Sequence, residues 1–120
     1  MASCPIRTGS RQLNNLMRML WEQHATWTRM TIISIAEGLP DETQTTTRLL
    51  RNPGDIAAVF RPLYGNDVAD RLNDLITEHL VVAADLVKAA KAGNSAAAEE
   101  IERRWYANAD EIATFLSCIN

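Results

Sequence analysis

Apolar residues recur every three to four positions along three long stretches of this chain. The first stripe is Leu13, Met17, Leu20, His24, Trp27, Thr31 and Ile35. The second is Val68, Leu72, Leu75, His79, Val82, Leu86 and Ala90, and the third is Ala97, Ile101, Trp105, Asn108, Ile112, Phe115 and Ile119. This is the period of an amphipathic helix with one face turned to a core. No stretch alternates with period two over six or more residues, so the pattern predicts an all-α protein.

Helix-breaking residues divide the chain cleanly. Gly38-Leu39-Pro40 ends a first helix over about 11–37, with Ser10 as its expected N-cap. A second helix starts at Asp41 and is broken at Asn52-Pro53-Gly54-Asp55, with Asp55 capping a second piece that runs to Leu63. Gly65 and Asn66 open a third helix over about 67–92, and Gly93 with Asn94 or Ser95 opens a fourth that runs to about Ile119. Short connections make successive helices antiparallel neighbours, so the expected architecture is an up-down-up-down four-helix bundle. It forms a single domain over 1–120, with 1–10 as an N-terminal tail, and no internal repeat of solenoid type is expected.

Each stripe is interrupted by a polar residue near its middle. His24 is the midpoint of the first helix, His79 of the third, and Asn108 lies close to the midpoint of the fourth. The break in the second helix is also central. Midpoints share one height in an up-down bundle, so the pattern predicts one polar layer made of His24, His79, Asn108 and the broken backbone. The first and third helices would be diagonal, about 13 Å apart for neighbour spacings of roughly 8–10 Å. Thr28 and Thr31 fall near the same face, and Trp21, Trp27 and Trp105 flank the layer.

Three readings of this layer stay open. A buried polar layer can do no more than fix helix register, with the histidines satisfied by each other, by Asn108 or by water. The protein would then be a non-enzymatic oligomeric structural or interaction protein, with Ile32, Ile33, Leu80 and Val81 as candidates for a second buried surface. The layer also suits a small-molecule or peptide pocket, with His24, His79, Asn108, Thr28 and Thr31 as polar contacts and Trp27 and Trp105 as walls. In the third reading, His24, His79 and Glu111, with Asp55 as a further oxygen donor, form a ligand set for Zn²⁺ or Fe²⁺. Glu22 and Glu78 stand beside the histidines in sequence but on outer or boundary faces, and no Glu-x-x-His or His-x-x-x-His occurs. Two histidines are also competent for acid–base work, but no residue specifies a substrate or a reaction.

Composition narrows the setting. The chain has 120 residues, 47% of them hydrophobic, enough for a core without staples. Its net charge of −3 lacks the clustered basic face of a nucleic-acid binder. Residues 1–40 carry four Arg against two Glu, and residues 41–120 carry eight basic against thirteen acidic groups, without runs of like charge. This reads as solvated helix faces. The start has no apolar stretch of signal-peptide length and no run approaches a membrane span, so a soluble cytoplasmic protein without nucleic-acid or membrane partners is expected. Cys4 and Cys118, near opposite termini, are expected to be reduced thiols. A disulfide between them is geometrically allowed where the ends of an even-numbered bundle meet.

No phosphate-binding Gly loop and no Gly-x-Ser-x-Gly is present. The segments Leu20-Trp21-Glu22-Gln23-His24, Leu49-Leu50-Arg51-Asn52-Pro53-Gly54-Asp55, Arg61-Pro62-Leu63-Tyr64-Gly65, Glu78-His79-Leu80 and Arg103 to Ile112 together resemble a family of small microbial four-helix-bundle proteins. That group has no established activity, so the resemblance implies the fold and no chemistry. The architecture is also distantly similar to ferritin-like and hemerythrin-like bundles, but the ligand spacings of both are missing here.

Overall fold

The protein is described by a computed structural model over residues 9–119. It is an all-α, up-down-up-down four-helix bundle built from α1 (Ser10–Glu37), α2 (Glu42–Leu49), α3 (Asn52–Tyr64), α4 (Asn66–Lys91) and α5 (Ser95–Ile119). The pair α2 and α3 forms the broken second arm. Among the described residues, no helix is long and apolar enough to cross a membrane.

The long helices begin and end within one or two residues of the expected places, but their caps differ. Gly9, not Ser10, is the N-cap of α1, and its N–H donates to Gln12 Oε1 at 3.1 Å. At the other end Gly38 adopts φ 62°, the left-handed conformation that lets its N–H and that of Leu39 close on Ile35 and Ser34 carbonyls. Lys91 Nζ reaches across from the end of α4 and donates to the Ile35 carbonyl at 2.8 Å, satisfying an end of α1 where the helix dipole favours a cation. The Asp41 carboxylate does not cap α2 but accepts from Ser34 Oγ at 2.7 Å. Asn66 accepts from Arg61 Nη1 instead of capping α4, whose N-cap is Gly65. Asn94 does cap α5, accepting from the Ala97 N–H at 3.1 Å.

The break in the second arm is displaced from its expected place. Asn52-Pro53-Gly54-Asp55 is the first turn of α3, and the interruption falls at Leu50-Arg51. Proline suits the first turn of a helix, where its missing N–H leaves no bond unmade. Asp55 accordingly lies inside α3 and pairs with Arg51.

The core is a cluster of Leu20 from α1, Leu49 from α2, Ile56 from α3, and Leu72, Ile76 and Leu80 from α4. Each such side chain contributes about 1.5–3 kcal/mol by burial. Leu80 was expected to point outward and is instead part of this core, whereas Ile32, Ile33 and Val81 are each 41% exposed. Ala90, on the expected inward stripe, is exposed; at this end of α4 it is Lys91 and Lys88 that face α1 and α2, through the Ile35 carbonyl and Glu42.

The arrangement around α4 determines the site. Helix α4 packs on α1, α3 and α5, and α1 packs on α2 and α3. So α1 and α4, expected to be diagonal, are neighbours. The α1–α5 pair makes no comparable contact, and Asn108 is the only fully buried residue of α5. The bundle is therefore open along one side, between α1 and α5.

Candidate functional site

His24 and His79 stand on the adjacent helices α1 and α4, each half-buried. They do not bond to each other. His24 Nδ1 lies 2.8 Å from Asn52 Oδ1, and His79 Nδ1 lies 2.8 Å from Asn108 Oδ1. The two asparagines are 0% and 2% exposed.

The tautomer of each ring follows from its asparagine. Asn52 Nδ2 donates to the Leu20 carbonyl at 3.0 Å, and Asn108 Nδ2 donates to the Leu75 carbonyl at 3.0 Å. A carbonyl only accepts, so the amide nitrogen must face it and the amide oxygen must face the imidazole. An amide oxygen also only accepts, so each Nδ1 carries the proton. In the neutral ring the lone pair is then on Nε2. Both Nε2 atoms are acceptors, bases or ligand atoms, held by a partner that fixes ring and tautomer together.

The same clamp is built twice, and the chain encodes it twice. Each asparagine grips one helical turn, taking the carbonyl of one residue and the imidazole four positions later. That turn is Leu20-x-x-x-His24 in α1 and Leu75-x-x-x-His79 in α4. The gripping segments are Asn52-Pro-Gly-Asp-Ile-Ala and Asn108-Ala-Asp-Glu-Ile-Ala, which share the pattern Asn-x-x-acid-Ile-Ala. Between them, Gly38 and Gly93 stand 14 positions after each histidine, both at positive φ. The chain therefore contains an internal repeat of about 55 residues, of hairpin and not solenoid type. In its first half α2 begins ten residues before Asn52, and in its second α5 begins thirteen before Asn108. The helical lead-in is three residues shorter in the first half, but the span from histidine to asparagine differs by only one, 28 positions against 29, and the first half carries the interruption at Leu50-Arg51.

The repeat is not closed symmetrically. Contact of α3 with α4 has its counterpart in contact of α5 with α1, and that contact is the weak one. Where it is missing, two cavities open, and both histidines line both of them. One, of about 410 Å³, is walled by apolar groups including Met17, Trp21, Ile56, Phe60, Ile76 and Ile112. The other, of about 630 Å³, lies between α1 and α5, with Ala25, Thr28, Arg29, Ile32, Ile33 and Trp105. The aromatic neighbours touch the imidazoles directly. Trp21 meets His24 edge-on at 5.1 Å, and Trp105 stacks on His79 at 5.0 Å. Trp105 Nε1 is buried and has no hydrogen-bond partner in the protein.

The remaining candidates are spread more widely. Thr28 lines the second cavity, but its hydroxyl donates to the His24 carbonyl at 2.6 Å. Thr31 is buried in the core outside both cavities, with its hydroxyl unpaired. Trp27 faces the second arm, with the Arg48 guanidinium 5.1 Å over its ring. Glu111 pairs with Arg71 at an exposed position and bonds neither histidine. Among the described residues, no group of three or more His, Cys, Asp or Glu gathers as a metal would require. Cys118 is exposed, and Cys4 lies outside the described residues. Asn52 is the site residue that the periodicity did not pick out, because its place in a breaker motif hides it. The repeated Asn-x-x-acid-Ile-Ala is the signal that finds it. Comparison with protein-family models, with curated proteins and with solved structures finds no match.

Proposed function

We propose that this protein is a small-ligand-binding four-helix bundle whose site is the cleft between His24 and His79. The observation that carries this reading is the paired clamp. Two buried asparagines hold two imidazoles as Nδ1–H tautomers, and both rings line the same pair of cavities. Fixing helix register accounts for the Nδ1 edges, since each clamp ties two arms together. It does not account for two lone-pair edges beside largely apolar cavities. A cavity of about 410 Å³ lies within the usual range for small-molecule sites, roughly 300–1,000 Å³. The walls of the smaller cavity are apolar apart from the two imidazoles. The site therefore selects an apolar body that presents hydrogen-bond donors or a metal to the imidazoles.

The test is a fragment screen by NMR, read at the imidazole Cε1–H and Nε2 signals of His24 and His79. Apolar fragments bearing an N–H or O–H donor are expected to shift both rings together and to leave the exposed Glu99–Glu102 region unmoved. If no fragment moves either histidine while others bind elsewhere, the clamp serves register alone and the reading fails.

A further inference from the structure

We propose that the open side of the bundle is the contact face of a two-fold dimer, in which α1 of each chain packs on α5 of a second copy.

The internal repeat says which helix covers this face. On α1 the open side carries Trp21, Ala25, Thr28 and Ile32, and on α5 it carries Trp105, Ala109, Ile112 and Leu116. Both sets fall at i, i+4, i+7 and i+11, a single helix face. The two histidines are 55 positions apart, and that step carries the α1 set onto Ile76, Leu80, Ala83 and Val87 of α4. The two asparagines are 56 apart, and that step carries the α5 set back onto Leu49, Pro53, Ile56 and Phe60 of the second arm.

These counterpart stripes meet inside the chain. Ile76 and Leu80 share the core with Leu49 and Ile56, and Phe60 packs against it. None of those four core residues is more than 5% exposed. Trp21, Ile32 and Leu116, which stand at the matching places, are 48%, 41% and 38% exposed. One half of the repeat therefore shows the partner that the other half lacks: a face of the α1 kind is covered by a helix of the α5 kind.

A two-fold axis parallel to the helices supplies the missing pair twice. It sets α1 against α5 of the second copy and α5 against α1 of the second copy, antiparallel as α3 is to α4. The partner also roofs the cleft that His24 and His79 line. The dimer does not depend on what that cleft holds.

Charge on the rims favours the same pairing. Beyond the α1 stripe stands Arg29, which lines the larger cavity together with Trp105. Beyond the α5 stripe stands Glu102, one turn before Trp105. Both are exposed, and among the described residues neither forms an ion pair within the chain. Rotation about an axis parallel to the helices keeps heights, so Arg29 of each copy meets Glu102 of the other.

The test is sedimentation of the full chain from nanomolar to tens of micromolar. The wild-type protein is expected to be a dimer that dissociates on dilution. Ile32→Glu and Leu116→Glu alter exposed positions, so helicity by circular dichroism is retained, while the dimer Kd rises by about a hundredfold or more. Arg29→Glu and Glu102→Arg each set like charges against each other at two places. Each is expected to raise Kd by up to about 25-fold, two exposed pairs at about fivefold apiece. Mixing the Arg29→Glu chain with the Glu102→Arg chain makes both contacts complementary again, and a heterodimer of near wild-type affinity is expected.

A wild-type chain that stays monomeric overturns the proposal, since the cleft then closes within one chain or on a different partner. A dimer indifferent to both Ile32→Glu and Leu116→Glu overturns it as well. Failure of the mixed chains to associate better than either alone overturns the pairing of α1 with the second copy's α5.

Discussion

Asn108 does for His79 what Asn52 does for His24: each donates to the carbonyl one turn before its histidine and accepts the Nδ1 proton, with matching distances of 3.0 and 2.8 Å. Two asparagines that share no partner thus impose one tautomer on two rings in one cleft. The consequence for chemistry lies at the opposite edge of each ring, where Nε2 keeps its lone pair.

That tautomer is directly observable. Long-range proton–nitrogen correlation spectra of the neutral protein are expected to place the proton on Nδ1 of both histidines. A proton on Nε2 of either ring would mean that its asparagine is turned around, leaving amide N–H and carbonyl facing the wrong partners.

The clamps are also separable energetically. Asn52→Ala or Asn108→Ala removes one acceptor and one donor at a buried position and is expected to cost about 1–3 kcal/mol in urea unfolding. His24→Ala combined with Asn52→Ala should be strongly non-additive, because the two residues bond to each other. His24→Ala with Asn108→Ala, which share no hydrogen bond, should add to within about 0.5 kcal/mol. Equal coupling in both pairs would show a single network in place of two clamps.

The helix ends that follow each histidine by 14 residues differ in one respect. Gly38 and Gly93 both have positive φ, so alanine at either is strained by about 1–2 kcal/mol. At Gly38 an added Cβ would also stand 3.3 Å from Lys91 Nζ, the group that bonds the Ile35 carbonyl. Gly38→Ala is therefore expected to lower the melting temperature more than Gly93→Ala. The reverse order would mean that the lysine bridge contributes nothing.

Arg48 is a place where stability should rise. Its guanidinium lies over Trp27, but Nη1 is buried without a partner, and its contact with Gln23 Oε1 is a long 3.5 Å. Arg48→Met keeps the apolar stem and removes the unpaired donor. The expected change in unfolding free energy is between zero and a gain of about 1 kcal/mol. A loss larger than that would show that the guanidinium–indole contact outweighs the buried N–H.

Much of this protein was legible from its residues. The 3.6-residue stripes identified three long helices, and Gly38, Gly65 and Gly93 marked their ends, because periodicity and left-handed backbone are local properties. His24, His79 and Asn108 stood out for the same reason, as polar interruptions at one height. Asn52 did not, since a residue followed by Pro-Gly reads as part of a turn. In the structure that Pro-Gly is the first turn of α3, and the asparagine at its head is fully buried. Glu111 looked able to lean inward by spacing, but an arginine on α4 holds it at the surface.

The amino-acid sequence by itself determined four arms, their lengths and which faces are apolar, because those depend on backbone propensity and helical period. Tertiary packing decided the rest. Only packing put α1 beside α4 instead of across from it, left α5 apart from α1, and so opened the cleft that both histidines line. Only packing oriented the asparagine amides, because the choice between their two ends depends on which carbonyl lies opposite. The identity of the protonated nitrogen on each imidazole, and with it the chemistry of the site, follows from those contacts between distant parts of the chain.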